Sequence, residues 1–197
     1  MLVLGLTGSL AMGKSTVAAM FAAEGAAVFD ADGAVHALYS GAAAPPIDVV
    51  FPGTTRDGVV DRALLGRSVA GDAAALVRLE AIVHPLIGAV EDAFRARAAT
   101  AGRRVAVLDI PLLLETHGET RVDAVVVVTA APEIQRVRML SREGTTAAVA
   151  AGLLARQMPD AEKRARAHFI IDTSSDFAAT RKQVGDVMRA VAGRAAG

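Results

Sequence analysis

Eight residues near the amino terminus have the spacing of a phosphate-binding loop. The run from Gly8 to Ser15 is Gly-Ser-Leu-Ala-Met-Gly-Lys-Ser, which fits G-x-x-x-x-G-K-[ST] at every fixed position. Glycines let successive N–H groups turn toward an anion, and a helix that starts there adds partial positive charge. Lys14 can reach the outer phosphates of a nucleotide, and the Ser15 hydroxyl can bind Mg²⁺. A glycine-rich helix cap beside an accidental lysine is the alternative.

The flanking sequence predicts the elements that such a loop needs. Residues 2–7 are an apolar run of strand length, and residues 14–24 have helical spacing. Further strands are predicted at 27–29, 104–108, 124–129 and 169–171. Most of them are nearly continuous aliphatic runs, which is typical of strands buried on both faces of a parallel sheet. The alternation of strands and helices therefore predicts an α/β fold.

Two long segments interrupt this alternation. Residues 31–102 show no convincing strand, and they predict helices at 32–40, 61–70, 72–83 and 85–99. A loop rich in Pro, Gly and Thr at 45–55 breaks these helices. The segment is therefore interpreted as a helical insertion suited to a second substrate, and a shorter helical insertion is predicted at about 132–167.

Length and composition restrict the function classes. A chain of 197 residues predicts one compact domain with inserted elements. Lys plus Arg and Asp plus Glu both total 21, so no overall positive field favours nucleic acid. The absence of cysteine excludes disulfides and thiolate metal sites. With short apolar runs and no leader-like start, we expect a cytoplasmic protein with no membrane partner; the sequence leaves the oligomeric state open.

Carboxylates follow two of the predicted strands, where ligands of open parallel sheets bind. Asp30 and Asp32 come after the second strand. Either could take a proton from an attacking hydroxyl or help to hold Mg²⁺, and either could instead cap the next helix. Asp109 ends the third strand, the usual position of a second magnesium-side acid. A cap or a structural salt bridge is a comparable explanation for Asp109.

Arginines are grouped in the second insertion. Arg138 and Arg142 are four residues apart and share a helix face, whereas Arg136 points away from it. Like charges at this spacing destabilise a helix by a few tenths of a kcal/mol, roughly, unless an anion joins them. The pair predicts either an arginine lid over a transferring phosphoryl group or a solvated surface face.

Taken in chain order, these motifs resemble those of the dephospho-CoA kinase family. The shared segments are Leu4-Gly5-Leu6-Thr7-Gly8, Asp30-Ala31-Asp32, His84-Pro85, Pro111-Leu112-Leu113-Leu114-Glu115, Ala124 to Thr129, Arg138 with Arg142, Arg156-Gln157 and Ile171-Asp172-Thr173. The resemblance covers nearly the whole chain. It implies transfer of the ATP γ-phosphoryl group to the ribose 3′-hydroxyl of dephospho-CoA, the last step of coenzyme A biosynthesis.

The resemblance also implies a fold and its divisions. The fold is an α/β, nucleoside-monophosphate-kinase-like, three-layer arrangement with a five-stranded parallel sheet, a helical substrate insertion and a lid. The nucleotide-binding core is then 1–31, 101–131 and 168–197. The CoA-substrate insertion is 32–100, and the lid region is 132–167.

Site residues are carried over from the same resemblance. The catalytic set is Lys14, Asp32, Arg138 and Arg142, with Asp32 as the general base. The ATP-binding set is Gly8, Ala11, Met12, Gly13, Lys14, Ser15 and Thr16. The substrate-binding set is Asp32, His84, Pro111 and Leu112, and the Mg²⁺ set is Ser15, Asp32 and Asp109.

Two departures from the family pattern and two rival functions stay open. Family members often have glycine where Ala11 stands, and the alanine restricts the geometry of the loop. They often have asparagine where Thr173 stands, and the threonine leaves the adenine-side contacts undecided. One rival is another small-molecule kinase of the same fold. The other is a nucleotide-dependent regulatory module. A guanine-specific switch is disfavoured, because the chain has no asparagine for an Asn-Lys-x-Asp element.

Overall fold

The computed structural model describes residues 1–141, 146–155 and 157–194. They form two compact units, the first made of Met1–Phe29 and Ala98–Gly197 and the second of Asp30–Arg97. Two residues of the predicted site region, Arg142 and Arg156, lie outside the described residues.

The strands of the described chain include all those that the sequence predicts. In chain order they are β1 (Leu2–Thr7), β2 (Ala27–Asp30), β3 (Thr55–Arg56), β4 (Val59–Val60), β5 (Val105–Asp109), β6 (Ala124–Thr129) and β7 (Phe169–Asp172). Five of them form one parallel sheet in the order β2-β5-β1-β6-β7. The central strand β1 therefore has β5 on one side and β6 on the other, and the residues that follow these three strands meet at one edge of the sheet.

The helices of the described residues are α1 (Lys14–Ala23), α2 (Ala31–Tyr39), α3 (Ala44–Val50), α4 (Arg62–Val69), α5 (Ala73–Thr100), α6 (Pro132–Leu140), α7 (Ala147–Leu154), α8 (Asp160–Ala165) and α9 (Phe177–Arg194). Helix α1 ends where the sequence predicts, since Glu24 is its C-cap and Gly25 follows with φ 91°. The predicted α/β fold with a five-stranded parallel sheet is confirmed.

The sheet is covered on both faces. Val126 and Val128 of β6 pack in a cluster with Val17 and Phe21 of α1 and with the valines of α9. Val125 and Val127 of the same strand face the other way, toward Leu113 and Leu114. Alternate residues of one strand thus enter two different apolar layers, which explains why β6 is an unbroken aliphatic run.

The second unit has its own core and corrects three sequence predictions. Its buried cluster includes Leu38, Ile47, Phe51, Leu65 and Leu79. A short hairpin, β3 and β4, occurs where no strand is predicted; Asp57 and Gly58 connect its strands with φ 51° and 77°. The predicted loop at 45–55 begins instead as helix α3, whose first turn accepts prolines because those amides need no helical partner.

Helix α5 is the third correction. It runs without a break through Pro85, where the sequence predicts the end of one helix and the start of another. By length and composition alone it could cross a membrane, since one window has a mean hydropathy of 1.6 and is 17% buried. This is a weak indication, because core helices of soluble proteins meet the same criteria. Leu79 and Val83 of α5 belong to the core of the second unit.

Candidate active site

The loop between β1 and α1 has two residues in left-handed conformations. Ala11 has φ 63° and Gly13 has φ 88°, and Gly13 is also the N-cap of α1. A Cβ atom on Gly8 would lie 2.6 Å from the Val128 carbonyl oxygen, so this close approach to β6 requires glycine. Ala11 adopts a conformation that costs an L-residue about 1 kcal/mol or more, and glycine would adopt it without this cost.

Lys14 and Asp109 form an ion pair at this edge of the sheet. Lys14 begins α1, directly after the loop, and Asp109 ends β5. Their side chains are 18% and 9% exposed. This salt bridge is one of the roles that the sequence allows for Asp109, and its role as a magnesium-side acid stays a prediction. The pair also keeps the ammonium group of Lys14 beside the loop.

Ser15 and Thr16 lie exposed in the first turn of α1. Among the described residues, no group of three or more His, Asp or Glu side chains could hold a metal. Mg²⁺ does not require such a group, because it is usually held by one or two protein oxygens, substrate phosphates and waters. The Ser15 hydroxyl and the Asp109 carboxylate are hard oxygen donors of the required kind.

Thr173 lies beneath the loop and connects three elements. Its hydroxyl donates to the Met12 carbonyl at 2.7 Å, and its amide donates to the Thr129 carbonyl at 2.9 Å. Arg138 of α6 donates to the Thr173 hydroxyl at 2.8 Å and to the Thr173 carbonyl at 2.7 Å. The predicted lid arginine is therefore held next to the loop, whereas its predicted companion Arg142 lies outside the described residues.

Two glutamines hold the backbone of Leu10 from both sides. The Leu10 amide donates to Gln157 Oε1 at 3.0 Å, and Gln135 Nε2 donates to the Leu10 carbonyl at 2.8 Å. Both glutamines belong to the segment 132–167. Gln157 belongs to a motif shared with the family, whereas Gln135 has no signal in the sequence, because a glutamine carries no local sign of a contact more than a hundred residues away.

A buried ion pair supports the segment after β5. Lys163 of α8 is fully buried, and its Nζ lies 2.7 Å from Glu115 Oε1. Glu115 Oε1 also accepts from the Met158 amide at 2.9 Å. Burial alone would raise the pKa of Glu115, but the hydrogen bonds from Lys163 and the Met158 amide outweigh it and lower that pKa. Glu115 belongs to a motif that the sequence shows, but nothing in the sequence indicates its partner Lys163.

The residues predicted to bind substrate are in varied settings. The Pro111 carbonyl accepts from the Thr7 hydroxyl at 2.9 Å, and Leu112 is 41% exposed.

In the second unit, Asp30 caps α2 by accepting from the Gly33 amide at 3.0 Å. Asp32 and His84 are exposed on α2 and α5. The side chains of these two residues have no hydrogen bond or ion pair among the described residues.

The fold and the loop define a class of protein. A parallel sheet with a phosphate loop after its central strand and a lysine at the start of the next helix is the arrangement of P-loop nucleotide-binding proteins. Comparisons narrow this class. The family model for dephospho-CoA kinase matches residues 2–179. A dephospho-CoA kinase of Mesorhizobium japonicum is 59% identical over 98% of both chains. The chain belongs to the dephospho-CoA kinase family.

Solved structures agree with this fold. A protein from Thermus thermophilus is 29% identical, with a TM-score of 0.87 over 96% of each chain. A dephospho-CoA kinase from Campylobacter jejuni is 23% identical, with a TM-score of 0.62 over 96% of each chain, and this likeness concerns the fold alone. As a family member, the chain is an ATP-dependent kinase, as the sequence predicts.

Proposed function

We propose that this chain transfers the γ-phosphoryl group of ATP to the ribose 3′-hydroxyl of dephospho-CoA, with the roles that the sequence predicts. The observation that carries the proposal is the phosphate loop, which is folded with Lys14 beside it in a member of this family. Phosphoryl transfer needs little covalent participation from a protein. Positioning and electrostatic stabilisation supply most of the rate.

The loop holds the donor. Its amides, together with the N-terminus of α1, face the ATP phosphates, and Lys14 neutralises charge on the outer phosphates. The donor-binding residues are Gly8, Ala11, Met12, Gly13, Lys14, Ser15 and Thr16. With ATP bound, Lys14 would share its charge between Asp109 and the phosphates, and Asp109 would be one of the carboxylates that could hold Mg²⁺.

Mg²⁺ supplies charge neutralisation across the phosphates when it is bound. Ser15 and Asp109 provide oxygen ligands suited to it, and Asp32 is the third candidate from sequence. Dialysis against a chelator should abolish turnover, and added Mg²⁺ should restore it. Turnover that persists with chelator present contradicts the metal requirement.

Asp32 acts on the acceptor. We assign it the role of general base, because it is an exposed carboxylate without a partner among the described residues, whereas Asp30 is occupied as a helix cap. Arg138, with Arg142 outside the described residues, stabilises the transferring group. His84, Pro111 and Leu112 contact the acceptor. Residues 32–100 form the acceptor-binding domain, and residues 132–167 form the lid. The nucleotide-binding core is made of residues 1–31, 101–131 and 168–197.

The requirement for ATP favours a cytoplasmic location.

A coupled ADP-forming assay with a panel of acceptors tests the function. We expect steady ADP release with dephospho-CoA and only background release with nucleosides, nucleoside monophosphates or shikimate. Equal rates with a nucleoside would assign the chain to another small-molecule reaction. ATP binding without turnover on any acceptor would favour a regulatory module.

A further inference from the structure

Thr173 is hydrogen-bonded both to the loop, at Met12, and to Arg138. It follows β7 and is buried, with 5% of its surface exposed. The Thr129 carbonyl already accepts from the Thr173 amide at 2.9 Å, and the alternative contact from the hydroxyl is longer, at 3.3 Å. The single hydroxyl proton is therefore best placed on the Met12 carbonyl at 2.7 Å.

The same hydroxyl also accepts a bond from Arg138. With its proton directed at Met12, the oxygen offers lone pairs to Arg138 Nη1 at 2.8 Å, while the Thr173 carbonyl accepts from Nη2 at 2.7 Å. This two-point contact fixes the plane of the guanidinium group. It uses two of five N–H donors, and the other three have no partner among the described residues.

We propose that Thr173 is a positioning residue for phosphoryl transfer, and that it acts by orienting the Arg138 guanidinium relative to the phosphate loop. One hydroxyl group joins the loop backbone to the arginine, so the position of either affects the other. A Cβ atom on Gly13 would lie 3.3 Å from Thr173 Oγ1, and this close contact places the side chain directly under the last glycine of the loop. The proposal rests on the proposed role of Arg138 in transfer.

Replacing Thr173 with valine, serine or alanine separates the effect of its hydroxyl group from the effect of its side-chain shape. Thr173→Val keeps the shape and removes the donor and acceptor, so kcat should fall about tenfold, as for loss of one hydrogen bond to a charged group. The KM for dephospho-CoA should stay within about twofold of wild type, because the proposal places Thr173 behind Arg138 and assigns it no contact with the acceptor. Thr173→Ser keeps the hydroxyl and should retain wild-type kcat within about threefold.

Thr180→Val is the matched control. Thr180 is also buried and also donates its hydroxyl to a backbone carbonyl, that of Asp176 at 3.1 Å, but it lies in α9 away from the loop contacts. The control should change stability and leave kcat unchanged. If Thr173→Val does not fold, the kcat of Thr173→Ala is compared with that of Thr173→Ser instead.

A double-mutant cycle with Arg138→Ala decides between positioning and general stabilisation. If Thr173 acts through Arg138, then Thr173→Val should lower kcat by less than about threefold in the Arg138→Ala background. Independent, multiplying losses in kcat would overturn the proposal, and so would a Thr173→Ser loss as large as that of Thr173→Val. Unchanged kcat in Arg138→Ala alone would instead refute the proposed role of the arginine. Absence of dephospho-CoA-dependent turnover in the wild type would refute the proposed reaction.

Discussion

The two units present their candidate residues in opposite ways. In the first unit, side chains from distant parts of the chain hold the loop at Leu10 and Met12, and Lys14 is paired with Asp109. In the second unit, Asp32 is exposed on the first turn of α2 with no partner among the described residues. A loop that is held in advance suits phosphates, which all nucleotides share. An exposed carboxylate without a partner suits the general-base role that we propose for Asp32.

We expect the largest effect on the rate of transfer when the Asp32 carboxylate of the second unit is removed. Asp32→Asn should slow transfer by roughly 10²–10⁴, the usual contribution of a general base, because asparagine cannot take the proton. Single-turnover transfer measured by rapid quench gives the rate. Nucleotide affinity, measured without Mg²⁺, should remain close to wild type.

Asp30→Asn is the internal control for Asp32. Asparagine still caps a helix, so the bond to the Gly33 amide survives and transfer should be nearly normal. A slow Asp30→Asn enzyme beside a normal Asp32→Asn enzyme would show that the base is assigned to the wrong carboxylate.

Removing the cation of the prearranged loop should have the next largest effect. Lys14→Ala should lower kcat on the order of 10²–10³, as loss of one preorganised electrostatic donor does. The site then lacks the positive charge of Lys14 while the negative charge of Asp109 remains, so ATP affinity should fall as well. Steady-state kinetics and calorimetric titration with ATP measure the two effects. Near-normal turnover would refute the assignment of the phosphate loop.

The contrast between the units also indicates what sequence alone can predict. The loop and the sheet strands were predictable, because fixed spacing and aliphatic runs are local signals. The hairpin at Asp57-Gly58 has a local signal that was missed, since aspartate before glycine favours a tight turn. The continuity of α5 through Pro85 opposes a local rule and depends on its packing.

The contacts that hold the loop were beyond local reasoning. Leu10 and Gln157 are 147 residues apart, and Met12 and Thr173 are 161 apart. Only the three-dimensional arrangement of the sheet brings them together. The contacts of the Thr173 hydroxyl with Met12 and Arg138 have no local signal in the sequence.

A third prediction concerns stability of the first unit. Glu115→Gln leaves the buried Lys163 without a counter-charge, so the free energy of unfolding at neutral pH should fall by about 3 kcal/mol, the lower end for breaking a buried pair. Because the folded-state pKa of Glu115 is lowered, its stabilisation is present above the ordinary value of about 4.3 and is lost as pH falls through the folded value.

Urea denaturation at two pH values measures this effect. The difference between wild type and Glu115→Gln should be largest near pH 7 and should shrink below about pH 4. Lys163→Met, which removes the buried charge and keeps the volume, should be less harmful than Glu115→Gln. A difference that is independent of pH would show that the pair does not stabilise the fold by charge.

The smallest expected effect is at the strained position of the loop. Ala11→Gly relieves the left-handed strain but adds freedom to the unfolded chain, so the two contributions nearly cancel. The free energy of unfolding should change by less than about 1 kcal/mol, and kcat should be retained. Calorimetric unfolding and steady-state assays check both. A large loss of kcat would mean that the alanine methyl group itself shapes the nucleotide site.

The most direct test of the account is the identity of the product. ³¹P NMR of the reaction of wild-type protein with ATP, Mg²⁺ and dephospho-CoA should show a new phosphomonoester on the ribose 3′-oxygen, formed in step with ADP, and Lys14→Ala should form it far more slowly. Release of inorganic phosphate without a phosphorylated acceptor, or phosphorylation at another oxygen, would contradict the proposed transfer.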